Sequence, residues 1–224
     1  MKRFNWRTVM TCLVVCLLAG LGSACGGGTG EEQELAEELH LYNWSEYIEP
    51  QVLADFEEEF GVRVIEDTFA NNEELLAKLQ AGAGGYDVIV PSDYMVEIMI
   101  EEDLLALLNH ENLPNIENID PKFADPPYDP EMTHCVPYLW GTTGIGYNSE
   151  VFDEPPDSWA YMFDPDIASE YAGQITMLND VRESIGAALK YLGYSLNTTD
   201  ETELGEARDL LIQQKEWIYA YDAE

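Results

Sequence analysis

The feature that most constrains this chain is the alternation of short β-rich runs with amphipathic helices. LHLYNW (39–44) is a β-rich run. Pro50 then opens a helix that puts Val52, Leu53, Phe56 and Phe60 on one face before Gly61 stops it. Proline in the first turn and glycine just past the last is the asymmetry helices prefer. VRVIE (62–66) reads as a second strand, and Asn72 is placed to cap a helix carrying Leu75, Leu76 and Leu79, ended by Gly82. YDVIV (86–90) is a third strand stopped by Pro91, and Ser92 caps a helix with Val96, Met99 and Ile100 inside. Such alternation predicts an α/β fold with a parallel sheet covered by helices. Ligands of these sheets bind beyond the carboxyl ends of the strands, which places Asn43–Tyr47 and Ser92–Tyr94 at one edge.

Between Asn112 and Pro137 the pattern gives way to a proline-rich, helix-poor stretch, and VPYLWGTTGIGY (136–147) reads as an extended crossing. A second α/β unit follows. Its expected parts are a strand at 174–178 and a helix with Ile185, Ala188, Leu189 and Leu192 inside before Gly193. A helix over 201–214 with Leu204, Ala207 and Leu211 inward and a strand at 217–221 complete it. One pair of helices on two or three strands leaves apolar sheet edges uncovered. The expectation is therefore a chain incomplete beyond Glu224, the alternative being a partner or tight dimer over that edge.

The amino terminus has the architecture of an export signal. Lys2, Arg3 and Arg7 precede a mostly apolar run from Val9 to Leu21, and Gly22, Ser23 and Ala24 lead into Cys25. The run is too short for a comfortable transmembrane helix. Residues 25–38, Gly- and Glu-rich, read as a flexible tether. Small residues, then Cys, then a Gly-rich tether resemble a bacterial lipoprotein signal, in which the Cys becomes the acylated first residue. Here Leu21 lies four residues before Cys25, where the usual pattern has it three before. Ordinary cleavage after Ala24 is the alternative. Cys12 and Cys16 fall inside the signal, so a lipidated Cys25 leaves Cys135 without a disulfide partner.

Charge excludes more than it selects. The formal net charge is −34, from 10 Lys+Arg against 44 Asp+Glu. Loss of residues 1–24 removes three cations and no acid, giving −37. Nucleic-acid binding needs a basic face that the seven remaining Lys and Arg cannot build. Charge-driven contact with anionic lipid is disfavoured for the same reason. A cationic partner is favoured, although most of the excess reads as solvated surface.

No nucleophile elbow, Walker loop, HExxH or EF-hand spacing is present, and His40, His110 and His134 are scattered singly, so neither metal nor cofactor is expected. What remains are aromatic–acidic clusters at strand ends. Trp44-Ser45-Glu46-Tyr47 follows the first strand; two ring faces beside a carboxylate can hold an alkylammonium group, or the rings can simply pack under the next helix. Tyr94 lies at the same edge. Asp180 and Glu183 open a helix of the second unit, where an acid followed three residues later by Glu is also a capping-box-like arrangement.

The runs YNWSEYIEP (42–50), GYDVIVPSDY (85–94), PYLWGTTGIGY (137–147) and DVRESIGAALKYLGYSLNTT (180–199) resemble the spermidine/putrescine-binding proteins of bacterial polyamine ABC importers. The resemblance covers the chain from Leu39 onward. It implies a two-lobed periplasmic-binding-protein-like fold that closes on a linear polyamine, with lobe one at 39–137 and an incomplete lobe two at 138–224. It further implies that Trp44, Ser45, Glu46 and Tyr47 line the lobe-one wall and that Tyr94 adds an aromatic contact. Asp180 and Glu183 would pair with ligand ammonium groups. The implied protein is not an enzyme; it sits outside the cytoplasm, anchored through Cys25, and serves a membrane permease. In the family, later segments return to lobe one and add cleft residues without counterparts here. Two alternatives stay open: a carboxylate-dependent glycoside hydrolase, and a binding protein for another small solute.

Overall fold

The computed structural model describes residues 35–82 and 84–222. The expected signal segment, Cys25 and most of the tether lie outside the described residues. From Ala36 onward the chain forms one compact unit.

The first sheet has three parallel strands, β1 (Glu38–Trp44), β2 (Arg63–Phe69) and β3 (Val88–Ile89), in the order β2-β1-β3. β1 is central. It pairs with β2 from Glu38↔Arg63 to Trp44↔Phe69, and with β3 at Leu41↔Val88 and Tyr42↔Ile89. That central place explains why Leu41, Tyr42 and Asn43 are all buried, as a parallel strand covered on both faces requires. A helix follows each strand, α1 (Pro50–Phe60), α2 (Asn72–Gln80) and α3 (Asp93–Glu101), of which the first two connect strands of this sheet. Tyr42, Phe69, Leu75, Met95 and Met99 form the core between sheet and helices. Gly61 ends α1 at φ 67°, a left-handed conformation that glycine adopts without steric cost.

Three expectations for this half need correction. Asn71, not Asn72, caps α2: its extended backbone (φ −155°) lets its side chain accept from the Glu74 amide at 2.9 Å. The amphipathic face of α1 is only half used, because Leu53 and Phe56 are half-buried while Val52 and Phe60 remain exposed. The Phe56 and Phe60 rings pack on each other, with centroids 4.7 Å apart. β3 is shorter than the apolar run suggests, since ladder pairing with β1 reaches only two residues.

The connection carries three short 3₁₀ turns, at His110–Asn112, Pro114–Asn118 and Pro130–Met132. The run 136–147 has no regular structure, as an extended crossing requires. Two one-turn helices follow, α4 (Ala160–Phe163) and α5 (Pro165–Ala168). Then come β4 (Ile175–Leu178), α6 (Val181–Leu192), α7 (Glu201–Gln214) and β5 (Ile218–Asp222). β4 and β5 are parallel, with a register shift between Ile175 and Thr176. Phe163, Ala188, Leu189 and Ala207 are the most buried members of the second core. Leu204 is exposed, contrary to its expected inward place, because Ala207 occupies the close contact of α7 with this core. Among the described residues no helix is long and apolar enough to cross a membrane.

Candidate functional site

The carboxyl edge of the first sheet is aromatic. Trp44 ends β1, and its indole Nε1 donates to the Val90 carbonyl at 2.8 Å, tying the ends of two neighbouring strands. The Trp44 and Tyr47 rings stack with centroids 5.7 Å apart, and Trp44 also leans on Phe69 at 4.7 Å. Both readings of this pair therefore meet in one place: Trp44 is half-buried against the core, whereas Tyr47 is exposed. Ser45, half-buried, and Glu46, exposed, make the turn between them. Glu46 has φ 60°, a left-handed conformation that is uncommon outside glycine, so this turn holds local strain. From across the chain, the Tyr138 hydroxyl donates to the Tyr47 carbonyl at 2.7 Å and fastens the turn to the 136–147 crossing.

Tyr94 is the point where the two halves meet. Its hydroxyl accepts from Asn72 Nδ2 at 3.0 Å and faces Glu73 Oε1 at 3.4 Å. Asn72 is fully buried; it also donates to Ser92 Oγ at 3.0 Å and accepts from the Ser92 amide at 3.0 Å. Burial, the Glu73 carboxylate and then Asp180 push the Tyr94 phenol up to about 12, so it stays a neutral donor at physiological pH. The influence of Asp180 brings the start of α6 within electrostatic reach of Tyr94. Arg182 confirms the approach, with its guanidinium carbon 4.9 Å from the Tyr94 ring centroid.

Asp180 is the N-cap of α6 and accepts from the Glu183 amide at 2.9 Å, as a capping box requires of its first member. Glu183 accepts from Thr143 Oγ1 of the crossing run. It also lies on an open recess of about 90 Å³ bounded by residues 143–146, Trp159 and β4. None of Trp44, Ser45, Glu46, Tyr47, Tyr94 or Asp180 lines that recess. The structure thus stacks Trp44 on Tyr47, sets Asp180 within electrostatic reach of Tyr94 and bonds Asp180 to the Glu183 amide, while exposed Glu46 stands on its own turn.

Three contributors escaped sequence reasoning: Asn72, which positions Tyr94; Thr143, which holds Glu183; and Arg182. For Arg182 a signal was present, namely a cation set between two acids in a strongly acidic chain. Among the described residues no group of three or more His, Cys, Asp and Glu side chains is placed to hold a metal ion.

Comparison with known proteins places this geometry in context. Residues 51–224 match the family described as bacterial extracellular solute-binding protein. The chain is 36% identical over 214 residues to the putrescine/cadaverine-binding protein of Pseudomonas aeruginosa, covering 94% of this chain and 58% of that one. It is 37% identical over 188 residues to the spermidine/putrescine-binding periplasmic protein of Escherichia coli, covering 83% and 53%. Among solved structures, the TpPotD lipoprotein of Treponema pallidum superposes with a TM-score of 0.73 at 36% identity, covering 83% of this chain and 57% of that one. The chain spans between half and three-fifths of the length of these relatives.

Proposed function

The chain belongs to the bacterial extracellular solute-binding proteins, and on that premise we propose that it is an extracytoplasmic binding protein for linear polyamines of the spermidine/putrescine class, delivering them to an ABC importer. The observation that carries the reading is the approach of the Asp180 helix start to the aromatic edge at Tyr94. A polyamine is a chain of methylenes between ammonium groups. It needs ring faces for the methylenes and carboxylates for the charges. Trp44 and Tyr47 supply stacked faces; Glu46, Asp180 and Glu183 supply acids; Ser45 and the neutral Tyr94 hydroxyl supply polar contacts. Closure of two lobes around such a ligand is a hinge motion that buries its charges. An ammonium at the N-terminus of α6 opposes the helix dipole, so the two acids there must outweigh it.

The test is thermal unfolding with spermidine, putrescine and a panel of oligosaccharides. A ligand present at a hundred times its Kd stabilises the folded state by about 2.7 kcal/mol, so only the two amines should raise Tm. Stabilisation by a sugar alone would replace this reading with the glycosidase. We also infer that Cys25 is acylated and holds the protein in the periplasm or at the outer face of the cell membrane, a reading supported by the lipoprotein-like signal. Replacing Cys25 with Ser should release the protein from membranes, and retention would refute the anchor.

A further inference from the structure

We propose that Thr143 and Tyr138, both on the 136–147 crossing, are positioning residues that hold the acidic and aromatic walls of the polyamine site in place. This deepens the polyamine reading and rests on it. The crossing has no regular structure, yet it bonds to both halves of the molecule within residues 138–143. The Tyr138 hydroxyl donates to the Tyr47 carbonyl at 2.7 Å, and the Thr143 hydroxyl donates to Glu183 Oε2. All four residues are exposed, so burial forces neither bond. Glu183 is the informative end. A full capping box returns the glutamate side chain to the backbone amide of the capping residue. Asp180 makes its half of the box on the Glu183 amide at 2.9 Å. Glu183 does not make the other half. Its carboxylate goes to Thr143 instead and, among the described residues, makes no bond to the Asp180 amide. The crossing, not the helix, places this side chain.

The consequence is preorganisation. A free glutamate side chain has many rotamers, and a ligand that fixes it loses affinity to that ordering. Held by Thr143, Glu183 has given up much of this freedom before an ammonium arrives. One hydroxyl uses one of about four acceptor positions on the carboxylate, so the others stay open to a cationic donor. A hydroxyl also brings no charge to repel the ammonium, as a lysine in its place would. Tyr138 does the same for the aromatic wall. The Tyr47 ring is carried by a turn in which Glu46 has φ 60°, and the bond to the Tyr47 carbonyl fastens that turn beside its strained residue.

Calorimetry with putrescine, paired with urea denaturation of the unliganded full chain, tests this. Thr143→Val keeps the branched shape and removes the hydroxyl. It should lower affinity at least about fivefold and leave the urea midpoint unchanged. Thr143→Ser restores the hydroxyl and should recover affinity to within about twofold of wild type. In a Glu183→Ala background, Thr143→Val should change affinity by less than about twofold, because no carboxylate is left to position. Tyr138→Phe should lower affinity about twofold to threefold. Wild-type affinity in Thr143→Val, or the same loss with the Glu183 carboxylate absent, overturns the positioning role and leaves the polyamine reading standing. Failure of the wild type to bind putrescine or spermidine overturns the polyamine reading and this role with it.

Discussion

Two regions of the molecule present an aspartate to backbone amides, and they do so to opposite ends. In the turn at 129–135, Asp129 is 1% exposed. It accepts from the amides of Thr133, His134 and Cys135 at 3.2, 2.8 and 2.9 Å, and from Thr133 Oγ1 at 2.7 Å. His134 Nδ1 lies 3.2 Å away as well. At the start of α6, Asp180 is half-buried and accepts from the single amide of Glu183. A carboxylate offers about four acceptor positions. Those of Asp129 are consumed by its own chain, while Asp180 keeps most of its own for another donor. Saturation and burial, not residue type, separate the carboxylate consumed by its own turn from the one that keeps open acceptor positions.

The largest expected effect is on the saturated side. Burial alone would raise the Asp129 carboxyl, but the hydrogen bonds from His134, Thr133 and Cys135 outweigh it and hold the group far below the ordinary carboxyl range. Replacing Asp129 with Asn puts an amide N–H against those donors and should cost about 2–4 kcal/mol of folding stability at neutral pH. The sign of the pH dependence follows from the depressed value. The stabilisation is complete above the unfolded-state pKa of about 3.9 and is lost as pH falls toward the folded-state value. Urea denaturation should therefore show the gap between wild type and Asp129→Asn at pH 7 narrowing by pH 3. A constant gap would mean that the turn does not depend on the charge. The same environment pushes the Cys135 thiol up to about 12, through burial first and then the Asp129 carboxylate, leaving it an inert neutral group.

On the unsaturated side, removal should harm binding more than folding. Asp180→Ala loses one helix cap, worth about 1 kcal/mol, and should weaken polyamine binding at least about tenfold. Denaturation and calorimetry on one preparation separate the two quantities. Equal affinity in the variant would reduce Asp180 to a cap and erase the contrast with Asp129.

The difference between these regions also marks what the sequence made legible. Periodicity located nearly every element, because the apolar spacing of α6 and the Pro50 and Gly61 brackets of α1 are local signals. The Asp180 cap was readable for the same reason. Asp129 was not, since its donors are gathered by a turn in which Glu131 and Met132 take φ 63° and 51°, and no spacing announces that in two non-glycine residues. Asn72 was misplaced by one residue because Asn71 and Asn72 are equally good caps in isolation. The tertiary demand of Ser92 and Tyr94 for a buried amide decided between them. Val52 and Phe60 show the converse limit: an apolar stripe states that a helix face can be buried, not how much of the sheet lies beneath it.

The smallest expected effect tests whether the aromatic edge shares the logic of the α6 acids. Glu46 is exposed and strained, at φ 60°. On the proposed polyamine reading, that conformation is kept by a ligand acid. Glu46→Gly removes both the strain and the charge. The relief at positive φ is opposed by the greater freedom glycine gives the unfolded chain, so stability should change by less than about 1 kcal/mol. Affinity for putrescine should fall about threefold to fivefold, less than for Asp180→Ala, because an exposed charge acts through high dielectric. Glu46→Gln separates the causes, since it keeps the strain and removes only the charge. If Glu46→Gln binds putrescine as wild type does, the acid is surface solvation, and the charges of the site belong to α6 alone.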